Sequence, residues 1–76
     1  MNSYQNIIVR NPEIMNGKPI IKGTRITVEL ILKKLSEGIS VDDLVKMYPH
    51  ITNLQVLAVL EYASDVIAND EVLEVS

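Results

Sequence analysis

At Thr27 the hydrophobic pattern of this chain changes its period, and that change limits the fold more than any other feature. Before it, apolar residues come in short β-branched runs, Ile7-Ile8-Val9 and Ile20-Ile21, bounded by turn formers such as Asn11-Pro12 and Asn16-Gly17. After it, Val28, Ile31, Leu32 and Leu35 fall at i, i+3, i+4 and i+7, the spacing of one helical face. Thr27 suits an N-cap, and Gly38 stands where a left-handed residue would end that helix. Ser40-Val41-Asp42-Asp43 opens a second helix, striped by Val41, Leu44, Val45 and Tyr48 and closed by Pro49. Thr52-Asn53-Leu54-Gln55 carries the cap and the N3 glutamine of a third, expected from about Asn53 to Ala68. The expectation is a mostly α fold: a three-helix bundle, its last two helices joined by a tight turn as in a helix-turn-helix, with a short N-terminal β arm or hairpin.

The chain divides into residues 1–26 as the arm, 27–68 as the helical body and 69–76 as an acidic tail, all within one domain. The arm centres on Gly17–Val28, GKPIIKGTRITV, where Gly23 allows a bend or a hairpin that a side chain would resist. Asn16-Gly17 could tie Glu13-Ile14-Met15 back toward Pro19-Ile20-Ile21, with Pro19 at an edge because it lacks an N–H. Two short strands are marginal alone, so the arm needs cover, most simply the arm of a second copy. A homodimer is therefore expected, the more so because a chain of 76 residues buries only about 60% of the surface it exposes when unfolded.

Composition removes whole classes of chemistry. With no cysteine there is no disulfide, thiolate metal site or cysteine nucleophile. His50, the one histidine, sits in a turn beside Pro49 without a serine or carboxylate neighbour in sequence to form a nucleophile and base. Asp42-Asp43 and Asp70-Glu71 are adjacent acids that point in different directions on a helix and do not chelate. No enzyme activity, cofactor, metal or small-molecule substrate is expected. No secretory pattern opens the chain, and no apolar run approaches the roughly 20 residues that cross a bilayer, so a cytoplasmic protein without membrane contact is expected.

The net charge of −3 is unevenly spread. Residues 1–34 hold six basic and two acidic side chains, a net of +4, while residues 35–76 hold one basic and eight acidic, a net of −7. Such a split can be plain solvation or can make one face for a polyanion and another for a basic partner. For operator DNA the candidate contacts are Lys18, Lys22, Arg25, Lys33 and Lys34. Lys33 and Lys34 also have a simpler role as dipole complement near a helix C-terminus. Asn53 and Gln55 carry amides able to read adenine, but helix capping is the simpler role for both. The third helix has no lysine or arginine and carries Glu61 and Asp65, so it is expected to face away from DNA.

That helix is apolar on two sides, with Val56, Val59, Leu60, Ala63 and Ile67 on one and Leu54, Leu57 and Ala58 on another. Three helices cover one side; the other is left for a dimer mate or another protein, or is covered by the arm. In the tail, Val72, Leu73 and Val75 could dock in a groove while Glu74 meets a basic side chain, or the segment is a frayed end. The candidate partner-binding residues are Leu54, Leu57, Val72, Leu73 and Glu74.

A family resemblance sits on the same residues. Gly17-Lys18-Pro19, Ile21-Lys22-Gly23-Thr24-Arg25-Ile26 and Val28, preceded by Asn11-Pro12-Glu13-Ile14-Met15 and followed by Gly38-Ile39-Ser40 and Tyr48-Pro49-His50-Ile51-Thr52, resemble the domain-of-unknown-function family four-thirty-three. The likeness runs from about Ile7 to Ile67, and Thr27 departs from it where the family usually has proline. It implies a homeodomain-like helix-turn-helix and an antitoxin that neutralises a PIN-like ribonuclease toxin and can repress its own operon. The alternative is a stand-alone DNA-binding repressor.

Overall fold

The structure, a computed structural model, describes residues 4–71. It is mostly helical, with a two-stranded antiparallel sheet of β1 (Ile8–Val9) and β2 (Ile20–Ile21) followed by α1 (Val28–Ser36), α2 (Val41–Met47) and α3 (Asn53–Glu71).

Each helix begins where its cap stands. Thr27 Oγ1 accepts from the Leu30 N–H at 3.0 Å and Ser40 Oγ from the Asp43 N–H at 3.1 Å. At α3 the box closes both ways: Thr52 Oγ1 accepts from the Gln55 N–H at 3.2 Å, and Gln55 Oε1 accepts from the Thr52 N–H at 2.8 Å. Each satisfies donors that the first turn leaves orphaned, worth about 1 kcal/mol per cap. Helix α1 ends as its glycine suggested: Gly38 has φ +93°, its N–H donates to Leu35 O at 3.0 Å, and the Ile39 N–H donates to Lys34 O at 3.2 Å. That pair of bonds is a Schellman motif, which turns Ile39 back against the core.

The arm pairs differently from the expectation. Ile8 stands opposite Ile21 and Val9 opposite Ile20, and the Lys22 N–H donates to Ile7 O at 2.7 Å. Glu13-Ile14-Met15 does not return along Pro19-Ile21. Asn11 takes the donors a ladder would need, its Oδ1 accepting from the Glu13 N–H at 2.9 Å and its carbonyl from the Ile14 N–H at 2.8 Å. The chain then turns through Met15–Gly17, all three residues lying in the left-handed region with φ of +50°, +59° and +80°.

Gly23 lies in a hairpin rather than a simple bend. The Thr24 N–H donates to Ile21 O at 3.0 Å across Lys22-Gly23, with Gly23 at φ +83° in the place where a type II turn needs the left-handed region. Thr24 Oγ1 braces it, donating to Ile21 O at 2.7 Å and accepting from the Ile26 N–H at 3.0 Å. The chain comes back beside β2, where Ile21 N–H donates to Ile26 O at 2.9 Å and Val28 N–H to Pro19 O at 2.9 Å. Strand β2 is thus held on both sides, and α1 starts directly from its return.

Ile21, Ile31, Leu44, Ile51, Val56 and Val59 form the buried centre, with Ile8 and Val28 against them. The arm therefore finds cover within its own chain. It is also tied to α3: the Tyr4 ring meets Tyr62 edge-on at 5.4 Å between centroids, Tyr4 OH donates to Asp65 Oδ2 at 2.9 Å, and Arg10 Nη2 donates to Tyr62 OH at 3.0 Å. Helix α3 continues to Glu71, past the expected end at Ala68, because Asn69-Asp70-Glu71 contains neither glycine nor proline to stop it. Val72, Leu73, Glu74 and Val75 lie outside the described residues. Among the described residues, no helix is long and apolar enough to cross a membrane.

Candidate interaction surfaces

The five cations proposed from sequence lie on one side of the arm and α1, in two adjoining depressions. Lys18, Arg25, Lys33 and Lys34 line the first, about 440 Å³, together with Glu29 and Glu37. Lys22 and Arg25 line the second, about 520 Å³, with Gly23, Thr24, Ile26, His50 and Gln55. Arg25 belongs to both. The Gly23 hairpin sets Lys22 and Arg25 at its two ends, and α1, entered directly from the hairpin, carries Lys33 and Lys34 along the same side. Lys18 Nζ is 3.0 Å from Glu29 Oε1, but both side chains are well exposed, so this pair contributes little to stability and is easily exchanged.

His50 and Gln55 join this surface although neither is among the five. His50 comes from the link between α2 and α3, Gln55 from the first turn of α3, and both face the hairpin more than twenty residues earlier in the chain. Nothing local in the sequence carries that proximity; it follows from the helix-turn-helix packing α3 against the arm. Asn53, by contrast, is exposed and lines neither depression.

The second surface is apolar and belongs to α3. Leu54 is 67% exposed, Leu57 55% and Ile67 62%, and Leu60 and Val66 are also exposed. Of the stripe expected to pack, Val56 and Val59 are fully buried, while Leu60 and Ile67 face outward. For Ile67 the reason is length: a helix of 19 residues spans about 28 Å, against about 14 Å for the 9 of α1, so the last turns of α3 outrun their cover. Leu60, next to buried Val59 in the near half, lies on the solvent side of the helix. On the other stripe the arm covers Ala58 and leaves Leu54 and Leu57 open. Leu54 and Leu57 line a small hollow of about 140 Å³ with Ile7, Ala58 and Glu61. Beyond it, Val66 and Ile67 form one wall of a groove of about 230 Å³ whose other side includes Val28, Leu32 and Arg10.

Helix α3 has acids and no bases. Its field is felt at Tyr4, whose hydroxyl pKa is raised above its ordinary value, first by the hydrogen bond to Asp65, then by burial and by the charges of Asp65 and Glu61. Among the described residues no three histidine, aspartate or glutamate side chains converge as metal ligands would.

Comparison with known proteins adds a family. The family described as "Protein of unknown function (DUF433)" matches residues 8–63. Among solved structures, the chain is similar to a DUF433 member protein from Anabaena variabilis ATCC 29413, at 28% identity and a TM-score of 0.77. The match covers 80% of this chain and 60% of that one, so the present chain spans about three fifths of its relative's length. None of the curated proteins matches.

Proposed function

The chain belongs to the DUF433 family, and from that premise we propose that it is the antitoxin member of a toxin–antitoxin pair, binding and neutralising a PIN-like ribonuclease. The observation that carries this reading is the face of α3, where Leu54, Leu57, Leu60 and Ile67 stand in solvent on a helix that holds no lysine or arginine. Exposed apolar residues in a row along one helix suit a protein partner. A ribonuclease that handles an RNA backbone is basic around its site, and an acidic helix with an apolar face complements it. A second copy is poorly matched to this face, because two such helices side by side would set acid against acid.

The test is inhibition. A PIN-like ribonuclease from the same source, titrated with the purified protein, should lose RNA cleavage at a fixed stoichiometry. Cleavage that persists at saturating protein would refute the antitoxin reading.

A second reading, binding of operator DNA, is favoured by one specific observation: five of the six cations of the arm and α1, all but Arg10, fall on two depressions that share Arg25 and reach the start of α3. The two activities use different sides of the molecule and can coexist.

A further inference from the structure

The depression between the Gly23 hairpin and the start of α3 differs from its neighbour in one respect: among the described residues, no acidic side chain lines it. What it presents is mostly donor, the His50 imidazole alone being able to accept as well as donate. Lys22 offers an ammonium and Arg25 a guanidinium, neither of which can accept a hydrogen bond. The Thr24 hydroxyl is spent inside the hairpin, donating to Ile21 O and accepting from the Ile26 N–H.

Gln55 decides the character of the site. Its Oε1 accepts the Thr52 N–H at 2.8 Å, so the carbonyl end of the amide is held by the capping box. The NH2 end has no partner among the described residues. An amide that reads adenine needs both ends, donating to N7 and accepting from N6. While the cap is closed, one lone pair of Gln55 Oε1 is engaged and its orientation is fixed, so the free NH2 is the group it offers most readily. The positive end of the α3 dipole adds to the same field.

A pocket made of donors and cations suits a ligand made of acceptors, and the phosphodiester oxygen is the commonest of these. We propose that this depression seats a backbone phosphate of duplex DNA, held by Lys22, Arg25 and Gln55 Nε2, while Lys33 and Lys34 in the adjoining depression take a neighbouring phosphate. The inference rests on the reading that this face meets nucleic acid, and it makes the contact one of grip rather than of base reading. Duplex is favoured over a single strand because single strands are bound on aromatic platforms. Among the described residues the single His50 imidazole is the one ring that lines either depression; no tyrosine does, and the chain has neither tryptophan nor phenylalanine, so there is no run of rings on which successive bases could stack.

Gln55→Glu separates this role from the structural one. A glutamate at N3 can still accept the Thr52 N–H, so the capping box survives, but a negative charge replaces the free donor. Fluorescence anisotropy of the whole protein with AT-rich and GC-rich labelled duplexes across a salt series is the assay, with thermal melts as a folding control. The expected result is linear loss of affinity with log salt for the unaltered protein and a slope smaller by about 1 for each of Lys22→Ala and Arg25→Ala. Gln55→Glu should weaken binding on the order of tenfold, equally on both duplexes, with an unchanged melt. A loss confined to one duplex would make Gln55 a base reader and overturn the proposal, as would tighter binding of a single strand. Wild-type binding with indifferent variants would refute this site alone. Absence of any duplex binding would refute the nucleic-acid reading and the site with it.

Discussion

Replacing Ile21 by alanine tests whether the arm and the helices are one cooperative unit. Ile21 has no exposed surface and packs in the same cluster as Ile31, Leu44, Val56 and Val59, while its backbone is bonded to Ile26 on one side and its strand is paired with β1 on the other. The substitution deletes three carbon atoms from a close-packed site held by a main-chain framework that cannot collapse to fill the space. Truncations of this kind cost about 2–5 kcal/mol, the lost transfer energy plus the void. A domain of 76 residues has about 4–11 kcal/mol of net stability, so a loss of about 3 kcal/mol is a large share of the total. It should lower Tm by about 12–24 °C. Urea unfolding followed by far-ultraviolet circular dichroism would show the midpoint falling with the slope unchanged. Ile21→Val, which removes one methylene, should cost only about 0.5–1.5 kcal/mol. If Ile21→Ala cost less than about 1 kcal/mol, the arm would be a separable appendage. The placement of Lys22 and Arg25 by the core would then fail as an explanation.

Three further perturbations have defined outcomes. Gly23→Ala meets no atom within 4 Å, so its cost is the left-handed backbone alone, about 1–2 kcal/mol in a thermal melt, and Gly23→Asn should recover part of it. Tyr4 holds its proton more tightly in the folded state than in the unfolded one, so its contribution to stability is complete below the ordinary tyrosine value near 10 and is lost as pH rises through the higher folded value. Alkaline unfolding should therefore show a component that Tyr4→Phe removes, and an identical profile in the variant would refute the Asp65 contact. Leu54→Ala combined with Leu57→Ala should leave unfolding within about 0.5 kcal/mol, since both stand in solvent. If they dock a partner, their open surface amounts to about one buried leucine, about 1.5–3 kcal/mol, and calorimetric titration of the ribonuclease should show affinity about 10–150-fold weaker.

Much of the body is legible in the sequence because its signals are local. Thr27, Ser40 and Thr52 each act on an N–H three residues on, and Gly38 closes α1 through its immediate neighbours. The arm is harder to read, since its pairing was decided by a competition: Asn11 could satisfy Glu13 and Ile14 locally, and so left Ile8-Val9 as the partner of β2. Helix α3 is ambiguous for another reason. Apolar residues on every side are visible in its sequence, but which of them are covered depends on how far the shorter helices reach and where Tyr4 and Ile7 lie. The five cations could be named from charge alone, whereas His50 and Gln55 enter their surface through tertiary packing.

Position 55 shows how narrowly one residue can be constrained by two unrelated demands. To return the hydrogen bond that starts α3, a side chain must reach back three residues with an acceptor, which glutamine and glutamate do best. Of these two, only glutamine does so while remaining neutral beside Lys22 and Arg25. A redesign that treated the amide and the acid as interchangeable for helix stability would be right about the helix and would silently reverse the electrostatics of the wall next to it.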